Sequence, residues 1–152
     1  TGAYLVPLKG FYLKPQVDVA YTHLSRDGYT EHSTGGIALA VSGSDDDVWS
    51  VTPMLEIGTE IAFAGGGVAR PFVKGGATWR DTDTFITTAS FAAAPGSAPF
   101  AVSSRIDRTT ADIAVGVDLI TPGDTTLRVQ YDGQYGDTIT QHTGSAKLSV
   151  KF

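Results

Sequence analysis

Residues 143–152 read TGSAKLSVKF, and their alternation sets the fold class. Gly144, Ala146, Leu148, Val150 and Phe152 fall on one face of an extended chain, with Thr143, Ser145, Lys147, Ser149 and Lys151 on the other. Successive side chains of a strand point to opposite faces, so a period of two marks a half-buried strand. The same period returns five more times toward the N-terminus. Leu127, Val129, Tyr131, Gly133 and Tyr135 alternate with Arg128, Gln130, Asp132 and Gln134. Ala111, Ile113, Val115, Val117 and Leu119 alternate with Asp112, Ala114, Gly116 and Asp118. Val73, Gly75, Ala77 and Trp79 oppose Lys74, Gly76, Thr78 and Arg80. Trp49, Val51, Leu55, Ile57 and Ile61 oppose Ser50, Thr52, Glu56 and Glu60, and Leu13, Val17, Val19 and Tyr21 oppose Lys14, Gln16, Asp18 and Thr22. None of these runs carries a helical stripe. Six strands are expected, with residues 4–8 as the end of a seventh. Ile37, Leu39 and Val41 alternate too, as a further strand or as the extension of an external hairpin.

The connections fall into two classes. Residues 64–67 and 122–124 suit tight turns, whereas 25–47 and 84–104 are long and rich in Ser, Gly, Thr, Ala and Asp. Short and long alternate along the chain. In an antiparallel meander this puts every tight turn at one end and every long loop at the other, as in outer-membrane barrels. A soluble β-sandwich also alternates, so the faces were weighed. Gly75, Ala77, Ala111 and Gly133 lighten the apolar face, which lipid tolerates and a packed core does not. Tyr21, Trp49 and Trp79 sit toward the long-loop end, and Phe63 and Phe152 toward the short-turn end. That is the two-girdle pattern of a membrane barrel.

Composition narrows the function. The net charge of −5, from 11 Lys+Arg and 16 Asp+Glu, argues against a nucleic-acid partner. With no cysteine, neither a disulfide nor a thiolate metal site is available. No apolar run approaches the ~20 residues of a spanning helix.

The terminal strand, with Ala146, Leu148 and Val150 before a final Phe152, resembles the signal by which outer-membrane proteins are recognised for assembly. Tyr12-Leu13-Lys14-Pro15 followed by Val17, Val19, Tyr21 and His23, then Arg70-Pro71-Phe72-Val73 with Gly75, resemble strand starts of the autotransporter β-domain of type V secretion. Ala114 to Val117 and Leu127 to Tyr131 are similar to the strands just before its last. The resemblance covers essentially the whole chain, 1–152. It implies an antiparallel transmembrane β-barrel, of which this chain is the last six to eight strands of twelve. It implies a translocator pore in the Gram-negative outer membrane, no enzyme and no cofactor. The implied partners are outer-membrane lipid and lipopolysaccharide, the barrel-assembly machinery and an upstream passenger. On that reading Asp18, Glu56, Glu60, Lys74, Asp112, Asp118, Arg128, Asp132 and Lys147 line the lumen, opposite a lipid face. The alternative is a self-contained eight-stranded barrel, structural or adhesive, or a lipid A-modifying enzyme.

Reactive groups were sought. His23 and Ser25, with Glu31 nearby, are faintly like the catalytic residues of a barrel lipid A deacylase, but the surrounding motif is absent. Polar residues at the external end of a strand are the plainer account. Asp45-Asp46-Asp47 could gather Ca²⁺, although a solvated acidic loop is commoner and the glycine-spaced calcium loop is missing. Gly65 to Gly67 is a turn, since no Lys-Ser/Thr pair or helix follows it. His142 is expected as a polar group near the external rim.

Overall fold

The structure is a computed structural model that describes residues 1–32, 38–94, 96–123 and 125–151. Its strands, in chain order, are β1 (Gly2–Ala3), β2 (Val6–Pro7), β3 (Tyr12–Arg26), β4 (Tyr29–Thr30), β5 (Leu39–Val41), β6 (Ser44–Gly58), β7 (Ile61–Ala62), β8 (Val68–Arg80), β9 (Thr84–Phe91), β10 (Phe100–Arg105), β11 (Thr109–Ile120), β12 (Thr125–Tyr135) and β13 (Thr140–Val150). The six expected strands are β3, β6, β8, β11, β12 and β13. Each has 11 residues or more. A tilted strand crosses the hydrocarbon core in about 9–11 residues.

The main sheet runs β1-β3-β6-β8-β11-β12-β13, with every pairing antiparallel. Each long strand thus lies beside its sequence neighbour, the meander that the spacing implied. The tight turns gather at one end. Gly10 has φ +84 between β2 and β3, and Gly65 and Gly66 have φ +122 and +85 before β8. The Phe63 N–H closes that second turn on the Gly67 carbonyl at 2.8 Å, and Thr121 N–H closes the third on Thr125 at 2.9 Å. Residues 4–8 do belong to a strand end. β1 and β2 share one register on β3, and the Tyr4 N–H donates to the Pro15 carbonyl between them.

The long connections differ from expectation. β3 and β6 stay paired as far as Arg26 and Ser44, and 84–104 holds β9 and β10. Together with β4 and β5 these form a second sheet, β10-β9-β5-β4. The Thr, Phe and Ile in these segments suit strands. β5 of one hairpin pairs with β9 of the other, Leu39 to Val41 against Phe91 to Ala89, which composition cannot reveal. Leu39 and Val41 therefore belong to an external extension, while Ile37 lies outside the described residues. The expected run from Trp49 to Ile61 is also broken. β6 ends at Gly58 and β7 resumes at Ile61, leaving Glu60 in the gap.

Exposure is inside out. Glu56 is 4 % exposed and Thr78 7 %, whereas Val73 is 55 % and Leu148 65 % exposed. A β-sandwich buries its apolar faces against each other. Here the sheet curls around its polar face and turns Val, Leu, Ile and Trp outward, so the sandwich is excluded. Among the described residues β13 pairs with β12 alone, and β1 and β2 with β3 alone. The sheet is open at both flanks.

Candidate functional site: the polar inner face

Directly paired residues share a face, so the register assembles the inner surface. Lys14 lies opposite Glu56, Glu56 opposite Lys74, Lys74 opposite Ala114, and Ala114 opposite Asp132. One turn-ward layer joins Arg70, Asp118, Arg128 and Lys147 across four strands. Another joins Asp112 to Gln134 and Gln141. Asp18 faces Thr52 at the β3 end of the surface. Glu60 lies opposite Arg70, its carboxylate 2.8 Å from Nε. The structure thus brings the expected charges onto one face.

Their partners are specific. Arg128 donates from Nε and Nη2 to the two Asp118 oxygens, both at 2.6 Å, and lies 5.0 Å over the Phe72 ring. Such a two-point ionic bond is strong and fixes orientation. Tyr12 OH donates to buried Glu56 at 2.9 Å, and Lys14 Nζ is 3.9 Å away on its other oxygen. Thr78 and Gln134 donate to Asp112 at 2.7 and 2.8 Å, and Gln130 to Asp132 at 2.6 Å. Two glycines allow the rings to lie flat. A Cβ at Gly58 would come within 2.5 Å of the Tyr12 ring, and one at Gly116 within 2.7 Å of Phe72. Lys74, Asp112 and Asp132 with Thr52, Thr78 and Thr143 line an open groove of about 260 Å³. Tyr12, Glu56, Arg70 and Arg128 line another of about 310 Å³. Tyr12 and Phe72, which the resemblance marks only as parts of strand starts, belong to this face. Their parity with Lys14 and Lys74 already placed them inside.

The outer face carries Tyr21, Trp49, Trp79, Tyr131 and Tyr135. The Tyr21 and Trp49 rings pack at 5.0 Å, and Trp79 lies opposite Val51 one rung nearer the turns. Phe63 is exposed at the turn end. Tyr131 and Tyr135 flank His142, whose Nδ1 is 2.7 Å from Tyr131 OH. Ala146 and Leu148 stand opposite Val129 and Leu127, and Val150 opposite Thr125. Phe152 lies outside the described residues.

His23 stands at the external end of β3 among polar neighbours, in keeping with the plainer account. Its Nδ1 meets Asp47 at 2.7 Å, and Tyr21 OH donates to the same oxygen at 2.6 Å. Glu31 instead accepts from the Leu39 N–H at 3.2 Å in the outer hairpin. Asp45, Asp46 and Asp47 are consecutive in β6, so Asp46 points away from the other two and the three do not converge. Among the described residues no group of three His, Cys, Asp or Glu could hold a metal ion.

A family model described as the autotransporter beta-domain matches residues 1–132. The chain belongs to that family. Members are translocator domains of the Gram-negative outer membrane that carry a passenger, and the polar-inside barrel wall is that of an autotransporter β-domain. The match stops within β12, so β13 joins the domain through its 11 register pairs with β12. No curated protein and no solved structure matches the chain.

Proposed function

We propose that residues 1–152 are the C-terminal portion of an autotransporter barrel, a wall of the pore through which an upstream passenger is exported. The inverted exposure supports this reading: charged and amide side chains shelter on the inner face, and the apolar residues are left for lipid. The open flanks fit a partial barrel, in which strands from elsewhere in the polypeptide pair with β13 and with β1 and β2. Asp18, Glu56, Glu60, Lys74, Asp112, Asp118, Arg128, Asp132 and Lys147 keep the lumen hydrated. Arg128 pairs with Asp118, and Glu56, Glu60, Asp112 and Asp132 bond to Tyr12, Lys14, Arg70, Thr78, Gln134 and Gln130, which leaves a passing chain few bare carboxylates to stick to. Tyr21, Trp49, Trp79 and Phe63 anchor the two interfaces, where lipopolysaccharide meets the outer girdle. Ala146, Leu148, Val150 and Phe152 present the last strand to the assembly machinery. The chain acts as a conduit, not as an enzyme.

Cysteine substitution in the full-length protein tests this. With the passenger stalled by a folded insert, Gln130→Cys on the inner face should cross-link to passenger, and Val129→Cys should react only with lipid-soluble thiol reagents. Equal cross-linking from both positions, or from neither, rejects the translocator.

A further inference from the structure

At the external end of the wall the β8–β11 ladder stops at Trp79 and Thr109, and a second ladder starts where Thr84 lies opposite Arg105. Across the break the Arg80 N–H donates to the Arg108 carbonyl at 2.8 Å, and the Ile106 N–H to that of Asp83 at 2.9 Å. Arg80, opposite Ser50, stands on the inner face. Arg105 belongs to the face of the outer sheet turned away from Phe100 and Val102. Both side chains line one cavity of about 320 Å³, which Thr138 and Ile139 of the β12–β13 tip also line.

That cavity is short of negative charge. Arg70 and Arg128 pair with Glu60 and Asp118, and Arg108 stands 3.9 Å from Asp83. Among the described residues Arg80 and Arg105 are in no ion pair. Arg80 donates there only from Nη1, to the Asp107 carbonyl at 3.1 Å, and Arg105 makes no side-chain hydrogen bond. Asp107 brings the only carboxylate to the lining, and its oxygens already accept from Thr138 and Ile139. Two guanidiniums against one engaged carboxylate leave the cavity positive. Ile106 and Ile139 add apolar wall, beside which an ion bond is less screened than in water. The guanidinium fork matches phosphate oxygens, and two forks suit the double charge of a phosphate monoester.

We propose that Arg80 and Arg105 form a phosphate-binding site at the external rim, filled by a phosphate group of lipopolysaccharide. The level fits. From Arg70 at the turn end to Arg80, β8 extends about 33 Å, and a tilted strand of that length crosses an apolar band of ~25 Å. At that height in the outer leaflet stand the phosphorylated sugars of lipopolysaccharide. This rests on the outer-membrane reading of the barrel and gives its lipopolysaccharide contact a phosphate site. A bound phosphate would brace the β10–β11 connection against the β12–β13 tip, since the two share the cavity.

The test titrates the full-length protein in detergent micelles with fluorescent lipopolysaccharide, intact or enzymatically dephosphorylated, and reads binding by polarisation. Wild type should bind the phosphorylated form about tenfold more tightly, the worth of one charge-assisted hydrogen bond. Arg80→Gln/Arg105→Gln should lose that preference, and Arg108→Gln, outside the cavity lining, should keep it. Arg105→Gln alone removes no hydrogen bond among the described residues, so it should fold normally and still lose most of the preference. Equal affinity of wild type for the two forms overturns the site. So does a preference that survives the double variant, or one that Arg108→Gln also abolishes. Inorganic phosphate alone serves as the second probe, its phosphorus NMR line followed on adding protein. Broadening by wild type and not by the double variant, without any preference between the lipopolysaccharides, overturns the lipid headgroup as the source in favour of a free anion. Failure of the site leaves the translocator standing wherever the passenger still reaches the surface. Loss of the Gln130→Cys cross-link strikes the translocator and not the site.

Discussion

Val129 and Gln130 are neighbours near the middle of β12, one on each face. Val129→Arg puts a charge into lipid and should cost roughly 2–4 kcal/mol of stability in membranes. Gln130→Arg enters a hydrated groove beside Asp132 and should cost far less. Urea titration of the protein folded in vesicles reads the difference, and equal costs would overturn the face assignment. Tyr12 is the second residue whose role turns on a single contact. Tyr12→Phe deprives the buried Glu56 carboxylate of its 2.9 Å donor and should destabilise by about 1.5–3 kcal/mol in the same titration. Gly58→Ala, which pushes the ring off its seat, should show a comparable loss. Phe152 belongs to assembly instead. In the full-length protein Phe152→Ser should sharply lower the outer-membrane level while export to the periplasm persists, and Lys151→Ser should do little. Wild-type outer-membrane levels of Phe152→Ser would remove the terminal-signal argument.

Among the elements, the external end of the β12–β13 hairpin depends on a residue from the connection between β10 and β11. Asp107, just before β11, accepts the Thr138 hydroxyl at 2.7 Å and the Thr138 and Ile139 N–H groups at 3.0 Å. Gly136 is needed there, because a Cβ would overlap the carboxylate. The Thr138 hydroxyl first, and then the two backbone donors, hold the Asp107 carboxyl below its ordinary value against the opposing effect of burial. Its folded-state pKa is thus lower than its unfolded one. The stabilisation is complete above the usual carboxylate range and disappears as pH falls through the depressed value. Protease nicking at 136–139 should therefore rise on acidification in the wild type. In Asp107→Asn it should be high throughout and nearly independent of pH. A flat wild-type profile would show that the carboxylate does not secure the hairpin. This loop clamp had no signal in the sequence. Thirty-one residues separate Asp107 from Thr138, and only the meander brings them together.

At the scale of the whole molecule, an open sheet leaves backbone groups unpaired in lipid, which the bilayer does not tolerate. Residues 1–152 alone should therefore give no compact band that expands on boiling, while the full-length protein should give one. A compact monomer of 152 residues would instead establish a self-contained small barrel.

The sequence by itself determined the long strands, their order and which residues share each face. A period of two and a strict succession of short and long connections leave an antiparallel meander few other arrangements. TGSAKLSVKF at 143–152 shows it most plainly, for every residue of that edge strand is exposed and alternation alone gives it faces. Tertiary structure decided what depends on contacts between distant residues. His23 meets Asp47 because the β3–β6 register sets the two opposite each other. Within segments 25–47 and 84–104, whose Ser, Gly and Thr look like loops, β4, β5, β9 and β10 form a second sheet because β5 of one hairpin pairs with β9 of the other. Which face of the outer sheet continues the inner face of the main sheet likewise becomes visible only when the Arg26 guanidinium joins Ser44 to Thr87, on the face that carries Val41, Ala89, Phe100 and Val102.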